Sequence, residues 1–338
     1  MYITGDIGGT NLRLSSINGK DMIHTEYYVT REHPTLISAI QDFISKHSIK
    51  GIKSCCLAMA GPVDGKHCTL TNENTAYKYN SEEFASTLGF SVKFINDFQA
   101  IGWWIISRFV TNDAVDIIVP NPLHTGVKLY LGAGTGLGVG YVAGTTVFPC
   151  EGGHLRFGPS CPIEYELVTF MQKKHNSQHI SYERFVSGNG IACIAQFFMG
   201  KTEAQLNAYL GVTGGSDKMV SELISLPASE DDQPSHVAIN ANKGDETFKK
   251  IMAIFFNFYG RSISDLCAGF LPSEIFIAGG IMAKNMDLLK DAFVNKKFMD
   301  GLYDKGRLSH IVKNRRISVI LQDNIGLYGC CECLLQNE

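Results

Sequence analysis

The residues best suited to catalysis lie where a strand pattern is followed by a helix pattern. Asn96 and Asp97 follow the β-branched and aromatic run 91–95, and apolar residues recur at helical spacing over 98–110. An Asp at this junction would lie at the carboxyl end of a sheet, where open α/β folds bind ligands. The helix dipole would keep it ionised, able to accept a proton from a substrate hydroxyl. Taken alone, either residue could be an N-cap and nothing more.

A second group of polar residues is predicted at loops or element ends: Asn72, Glu151, His154 and Glu183. Amide, carboxylate and imidazole groups pair with hydroxyls, which both donate and accept hydrogen bonds, so the group suits a carbohydrate. The paired glycines between Glu151 and His154 indicate a tight turn that directs both side chains one way. The alternatives are a structural or surface role for His154 and a capping role for Glu183.

Three glycine turns follow predicted strands: GDIGGTN (5–11), GAGTGLG (132–138) and AGGI (278–281). Glycine allows backbone amides to approach a ligand closely, and successive amides beside a Thr hydroxyl suit phosphate. None of the turns is a Walker loop or a Rossmann fingerprint, and each alone is typical of an ordinary hairpin. Together they favour a nucleotide, and Asp6 could hold Mg²⁺ through water. The alternative for Asp6 is turn chemistry.

The composition excludes several classes of protein. A chain of 338 residues predicts two domains, and its net charge of −3 gives no electrostatic footprint for nucleic acid. The first ten residues do not read as a signal peptide, and no apolar run reaches the ~18 residues that a membrane helix needs. Ten cysteines, mostly in apolar runs, indicate reduced core thiols and a cytoplasmic location. The cluster CCEC (330–333) lacks a second pair of ligands at zinc spacing.

The predicted elements form an α/β chain whose first part, to residue 109, has the order β-β-β-α-β-α-β-α. The segment 127–142 repeats the plan of 2–17, which is strand, glycine turn, strand, and this indicates a duplicated unit. Further strands are predicted at 274–278 and 316–324. Helices are predicted at 34–47 with Pro34 in a first position, and at 81–90, 163–174, 246–270 and 325–336. The segment 228–235 is predicted to be a loop, and 201–245 matches no functional motif.

The order and spacing of these motifs resemble those of bacterial-type glucokinases, within the hexokinase/actin-like sugar kinase superfamily. The resemblance covers nearly the whole chain. It is carried by GDIGGTNLR (5–13), TN (71–72), INDF (95–98), GAGTGLGV (132–139), EGGH (151–154), ERFVSG (183–188), IAGGI (277–281) and DNIGLYG (323–329).

The resemblance implies an α/β, two-lobed actin-like/ribonuclease H-like ATPase fold with duplicated mixed-sheet domains. One domain would span 1–109, joined by 322–338, and the other 110–321. The implied activity is ATP-dependent phosphorylation of D-glucose to glucose 6-phosphate at the entry to glycolysis. The resemblance also implies closure of the lobes on glucose and a homodimer, with ATP and Mg²⁺ as cofactors and no nucleic-acid or membrane partner.

The resemblance also implies roles for single residues. Asp97 would be the general base, and Asp6 would lie near Mg²⁺. Glucose would be bound by Asn72, Asn96, Asp97, Glu151, His154 and Glu183. ATP would be bound by Asp6, Gly8, Gly9, Thr10, Asn11, Gly132, Gly134, Thr135, Gly136, Gly279 and Gly280.

Three positions depart from the family pattern. Thr75 stands where an aromatic residue is common, and Arg156 stands where an acidic residue is common. Both leave the choice of sugar more open than the chemistry. Only Cys161 follows the EGGH motif, whereas the related repressor/kinase group has a cysteine-rich zinc motif there, so structural zinc is not expected.

Two other classes of function stay open beside a different sugar kinase. A sugar-responsive regulator would need a DNA-binding module, and the chain begins directly at the first glycine hairpin. A filament-forming ATPase would lack the polar sugar set and would hydrolyse ATP without sugar.

Overall fold

The computed structural model describes residues 1–8, 11–29, 32–70, 78–121 and 125–336. The chain divides into two compact units. The first comprises 1–115, 140–149 and 321–338, and the second comprises 116–139 and 150–320.

The strands and helices are numbered in chain order. The strands are β1 (Tyr2–Ile7), β2 (Asn11–Asn18), β3 (Asp21–Val29), β4 (Ser54–Met59), β5 (Val63–Asp64), β6 (His67–Thr69), β7 (Lys78–Asn80), β8 (Ser91–Asn96), β9 (Val115–Val119), β10 (Lys128–Ala133), β11 (Leu137–Ala143), β12 (Thr146–Cys150), β13 (Glu274–Ala278) and β14 (Arg316–Ile320). The helices are α1 (Leu36–Lys46), α2 (Ser81–Leu88), α3 (Asp97–Ile105), α4 (Pro162–His175), α5 (Gly188–Met199), α6 (Glu203–Tyr209), α7 (Val220–Leu223), α8 (Gln233–Asn242), α9 (Glu246–Phe270), α10 (Gly280–Lys284), α11 (Met286–Lys290), α12 (Ala292–Tyr303), α13 (His310–Lys313) and α14 (Ile325–Leu335).

The two large sheets have a similar strand topology. The first has the strand order β3-β2-β1-β4-β8, and the second has the order β12-β11-β10-β13-β14-β9. In the first sheet β1 pairs antiparallel with β2 and parallel with β4, and β4 pairs parallel with β8. In the second, β10 pairs parallel with β13, and β13 with β14. A glycine hairpin therefore opens each sheet, followed by parallel strands, and the prediction of duplicated mixed sheets is confirmed.

Local signals explain where the helices of the first unit begin and end. Helix α2 begins after Asn80, whose side chain accepts from the amide of Glu82, and ends at Gly89 in a left-handed conformation, as predicted. Helix α1 begins at Leu36, two residues after Pro34, so the prediction that Pro34 occupies its first position is wrong. Thr35 is the N-cap and forms a capping box with Ser38, because a Thr side chain satisfies amides that Pro34 cannot.

Helix α9 lies in the core of the second unit, as expected for a long and mostly apolar helix. Its 25 residues are mostly buried, and Phe255, Phe256, Phe258 and Tyr259 have no exposed surface. A helix that is apolar on nearly all sides must be covered by neighbours. Helices α5, α8 and α12 pack against it.

The segment 201–245 contains helices that the sequence analysis left unassigned. Helix α6 begins with a capping box between Thr202 and Gln205. The predicted loop 228–235 is wrong at its carboxyl end, because α8 begins at Gln233 with Pro234 in its first turn. No helix in the described ranges has the length and apolar character needed to cross a bilayer.

Helix α14 packs closely on α3 in the first unit. A Cβ at Gly329 would lie 1.8 Å from the carbonyl oxygen of Ala100, so only glycine permits this approach. The Sγ of Cys330 donates to the carbonyl of Gly5, 3.6 Å away, on β1. None of the ten cysteines, all of which lie in the described ranges, forms a disulfide, and eight of them are buried, the exceptions being Cys150 and Cys161.

Candidate active site

Asn96 is the N-cap of α3 and is fully engaged in shaping the strand-to-helix junction. Its Oδ1 accepts from the amides of Phe98 (2.9 Å) and Gln99 (3.3 Å), and the Gln99 side chain accepts from the Asn96 amide in return. Its Nδ2 donates to the carbonyl of Gly61 at 3.0 Å. The capping role that the sequence left open therefore belongs to Asn96, whose side chain also hydrogen-bonds Asp97.

Asp97 is the first residue of α3 and is partly buried. Its Oδ1 accepts from the Phe98 amide at 2.9 Å, a bond that favours the charged form. Burial outweighs this and, with the charge of Asp6, raises the pKa of Asp97 from 3.8 to about 6. A carboxyl group with such a pKa is ionised at neutral pH and basic enough to take up a proton.

Asp6 lies on β1 directly opposite Arg13 on β2. Burial raises the pKa of Asp6, and the charge of Arg13 opposes that rise. The guanidinium of Arg13 also donates to Oδ1 of Asn324 at 2.6 Å, and Gly326 lies against the Asp6 carboxylate. The start of α14 is thereby held beside Asp6.

The first glycine turn is described in part. The amide of Gly8 donates to the carbonyl of Asn11 at 2.9 Å, and Asn11 is exposed at the start of β2. Gly9 and Thr10, predicted for ATP, lie outside the described residues, as do Asn72, predicted for glucose, and Thr75.

The second glycine turn joins β10 to β11. Gly132 is buried in β10, whereas Gly134 and Thr135 are exposed and Gly136 is partly buried. The amide of Gly134 donates to the carbonyl of Gly136 at 2.8 Å, which closes the turn. The Gly134 amide is therefore satisfied within the turn, and the exposed backbone of Thr135 is accessible to a phosphate group.

Gly279 and Gly280 begin α10 at the carboxyl end of β13. Gly279 has φ +89°, and a Cβ there would lie 2.6 Å from the carbonyl oxygen of Ala133 at the end of β10. Both the backbone conformation and the close approach require glycine. Two predicted ATP-binding turns are thus adjacent at the carboxyl ends of neighbouring strands.

Glu151, His154 and Glu183 form one cluster in the second unit. His154 Nε2 lies 3.6 Å from Oε2 of Glu151, and its Nδ1 lies 4.0 Å from Oε1 of Glu183. The Glu151 side chain is 89% exposed and that of Glu183 is 25% exposed. The cluster therefore contains two carboxylates and an imidazole. The Glu151 and His154 side chains are exposed, whereas the Glu183 side chain is mostly buried.

The loops that carry this cluster are tied together by backbone bonds. Arg156 pairs with Ser181 in an antiparallel bridge, and the amide of Tyr182 donates to the carbonyl of Leu155 at 2.9 Å. The hydroxyl of Tyr182 donates to Oδ2 of Asp265 on α9 at 2.5 Å. The buried Tyr182, held through its backbone and its hydroxyl, therefore fixes the backbone position of Glu183.

The structure groups the predicted residues by unit. The first unit holds Asp6, Gly8, Asn11, Asn96 and Asp97; the second holds Gly132, Gly134, Thr135, Gly136, Glu151, His154, Glu183, Gly279 and Gly280. The sequence analysis missed Arg13 and Tyr182. The position of Arg13 could have been predicted, because a hairpin that follows the first glycine turn places residue 13 opposite residue 6.

Comparison with known proteins agrees with the motifs. The glucokinase family model matches residues 3–337. A glucokinase of Nostoc punctiforme is 30% identical over 352 aligned positions, which cover 98% of each chain.

Two solved structures share the fold. The glucokinase of an Antarctic psychrotroph superposes with a TM-score of 0.77 at 23% identity, covering 99% of this chain and 98% of its own. The glucokinase of Balamuthia mandrillaris in complex with glucose gives 0.76 at 22% identity, covering 97% and 92%. These likenesses confirm the predicted fold class. The chain belongs to the glucokinase family.

Proposed function

We propose that the protein transfers the γ-phosphoryl group of ATP to the 6-hydroxyl of D-glucose, with Asp97 as the general base. Family membership over nearly the full chain supports the reaction. The single observation that supports the base is the partly buried Asp97 at a helix N-terminus, with its pKa raised to about 6. Asp97 would accept the hydroxyl proton as the oxygen attacks phosphorus.

The surroundings of Asp6 suit a hydrated Mg²⁺. Its carboxylate has lost solvent, as the raised pKa reflects, and the positive charge of Arg13 offsets only part of that loss. A buried anion in that situation gains from a further cation, and magnesium commonly reaches carboxylates through water. When bound, Mg²⁺ would neutralise charge on the phosphoryl oxygens. We assign Asp6 to that role.

The two glycine turns and the Gly279–Gly280 turn are proposed to bind ATP. Phosphoryl transfer depends chiefly on positioning and charge stabilisation, which exposed backbone amides can supply. The exposed Gly134 and Thr135 and the close packing of Gly279 on Ala133 support this assignment.

We propose that the sugar is bound by residues of both motif groups: Asn96, Asp97, Glu151, His154 and Glu183. The resemblance alone supports a sugar-binding role for Asn72 and an ATP-binding role for Gly9 and Thr10. A site that pairs each hydroxyl rejects an analogue lacking one, by up to about 10⁴-fold. We therefore expect phosphorylation of glucose over fructose and over N-acetylated hexosamines. Equal kcat/KM for fructose and glucose would refute the selectivity and spare the kinase activity.

We also propose that 1–109 with 322–338 forms one lobe and 110–321 the other, and that the protein is a cytoplasmic homodimer. The family resemblance supports these assignments. The unit boundaries after residues 115 and 320 fall near these positions and support the division, whereas residues 140–149 belong to the first unit.

The test is a coupled assay of glucose 6-phosphate formation on the wild type and Asp97→Ala. Losing a general base typically costs about 10²–10⁴-fold in rate. ATP binding, measured by calorimetry, should be largely retained. Asp113→Asn removes an exposed carboxylate of the same unit and serves as the control. A fully active Asp97→Ala protein contradicts the mechanism, and ATP hydrolysis that needs no sugar favours the ATPase alternative.

A further inference from the structure

The side chain of Glu183 contacts the second glycine turn as well as His154. Its Oε2 accepts a hydrogen bond from the backbone amide of Leu137 at 3.1 Å. Leu137 is the first residue of β11 and follows the turn directly. A side chain proposed to bind sugar therefore also holds the backbone of a turn proposed to bind nucleotide.

Gly136 makes this contact possible. A Cβ at Gly136 would lie 2.4 Å from Oε2 of Glu183, so any side chain there would displace the carboxylate. Gly136 does not adopt a left-handed φ, so its glycine is required by space and not by backbone conformation. At Gly134, two residues earlier, an added Cβ would meet nothing within 4 Å. The close approach is specific to the residue that faces Glu183.

A second bond fixes the same turn. The amide of Gly188, at the start of α5, donates to the carbonyl of Gly134 at 2.9 Å. Glu183 and Gly188 belong to one short segment, so this segment holds the turn at both of its ends. The remaining oxygen of Glu183, Oε1, faces His154 at 4.0 Å and is left for a ligand.

We propose that Glu183 couples the binding of the two substrates, with Gly136 as a positioning residue that keeps the Glu183–Leu137 bond in place. The inference rests on the proposed function. A sugar hydroxyl donating to Oε1 would restrict rotation of the carboxylate and, through Oε2, the turn. A nucleotide binding to an ordered turn pays less conformational entropy, and the reverse holds equally by linkage.

The first measurement is the dissociation constant of a non-hydrolysable ATP analogue, with and without saturating glucose, by calorimetry. The ratio of the two constants is the coupling factor, for which about 5- to 150-fold is typical. We expect Gly136→Ala to reduce it by about 5-fold or more. Gly269→Ala, on an open face of α9, is the matched control and should leave the factor unchanged. An unchanged factor in a folded Gly136→Ala protein overturns the inference.

The second measurement is made on the wild-type protein, and a variant serves only to assign the resonance. Glucose alone, without nucleotide, should shift the amide resonance of Leu137 in ¹⁵N-leucine-labelled wild-type protein, assigned by Leu137→Met. A merely structural contact would leave this resonance unmoved by sugar. If both ligands bind and Leu137 does not respond, the coupling is refuted while the proposed function stands. If the wild type binds neither glucose nor the analogue, both fail.

Discussion

The negative charge of Asp6 raises the pKa of Asp97. Burial is the larger cause of the same rise, and together they bring the pKa of Asp97 to about 6. The two residues follow the same plan, because each lies at the carboxyl end of a parallel-paired strand of the first sheet. The proposed metal-binding carboxylate therefore tunes the proposed base, and this has consequences for both rate and stability.

The rate of phosphorylation should depend on pH through Asp97. A base must be deprotonated to act, so kcat/KM should rise as pH increases through about 6 and level off above it. Asp6→Asn removes one cause of the raised pKa and should move the midpoint to lower pH, in whatever residual activity it keeps. Initial rates between pH 4.5 and 8 measure this. A midpoint that stays fixed in Asp6→Asn contradicts the interaction.

Folding stability should depend on Asp97 in the opposite sense. Its pKa is raised on folding, so its favourable contribution is complete below its ordinary pKa of 3.8 and is lost as pH rises through about 6. At pH 7 the ionised group therefore costs on the order of 1–3 kcal/mol. Asp97→Asn, which keeps an acceptor for the Phe98 amide, should raise Tm at pH 7 and have little effect near pH 4.

Thermal unfolding at the two pH values, with Glu32→Gln at an exposed position of the same unit as the control, tests this expectation. A Tm increase of equal size at pH 4 and pH 7 would show that the effect does not arise from titration.

Gly329→Ala should destabilise the first unit severely. The added Cβ would meet the carbonyl oxygen of Ala100 at 1.8 Å, and backbone cannot move aside as a flexible side chain can. Overpacking costs about 1–3 kcal/mol and sometimes more. Urea unfolding measures the loss. Gly269→Ala, with open space around the new Cβ, is the control, and equal stability of the two variants would count against the packing of α14 on α3.

The buried ion pair of the second unit predicts a non-additive result. Arg261 Nη1 donates to both carboxylate oxygens of Glu164, which also accepts from Ser160 and Tyr209. Arg261→Met leaves the carboxylate buried without its cation and should cost about 3–5 kcal/mol. Adding Glu164→Gln removes the uncompensated charge and keeps an acceptor, so the double variant should recover part of that loss. Additive losses in denaturant unfolding would argue against the pair.

Sequence patterns were sufficient for elements with strong local signals. Helix α9 and the glycine hairpin at Gly132–Gly136 follow from apolar periodicity and turn residues alone. Helix α3 was predicted to reach Val110 but ends at Ile105, because apolar residues continue beyond the last helical turn and periodicity cannot mark the end. The capping box of Thr202 and Gln205 was readable and went unused.

The sequence proposes the residues of the site but does not divide the local roles among them. Nothing in the INDF motif distinguishes the helix cap from the proposed base, and the hydrogen bonds of Asn96 identify it as the cap. The contact of Glu183 with Leu137 joins positions 46 residues apart. Long-range contacts of this kind depend on tertiary packing, which a local pattern does not encode.

The burial of most cysteines means that thiol reactivity reports unfolding of this chain. Since only Cys150 and Cys161 are partly accessible, a thiol-reactive dye should modify two groups in the native protein and ten after denaturation. Because the first unit's buried thiols include Cys55, Cys56 and Cys330 and the second's include Cys193 and Cys267, mass spectrometry of partly labelled peptides would report which unit opens first.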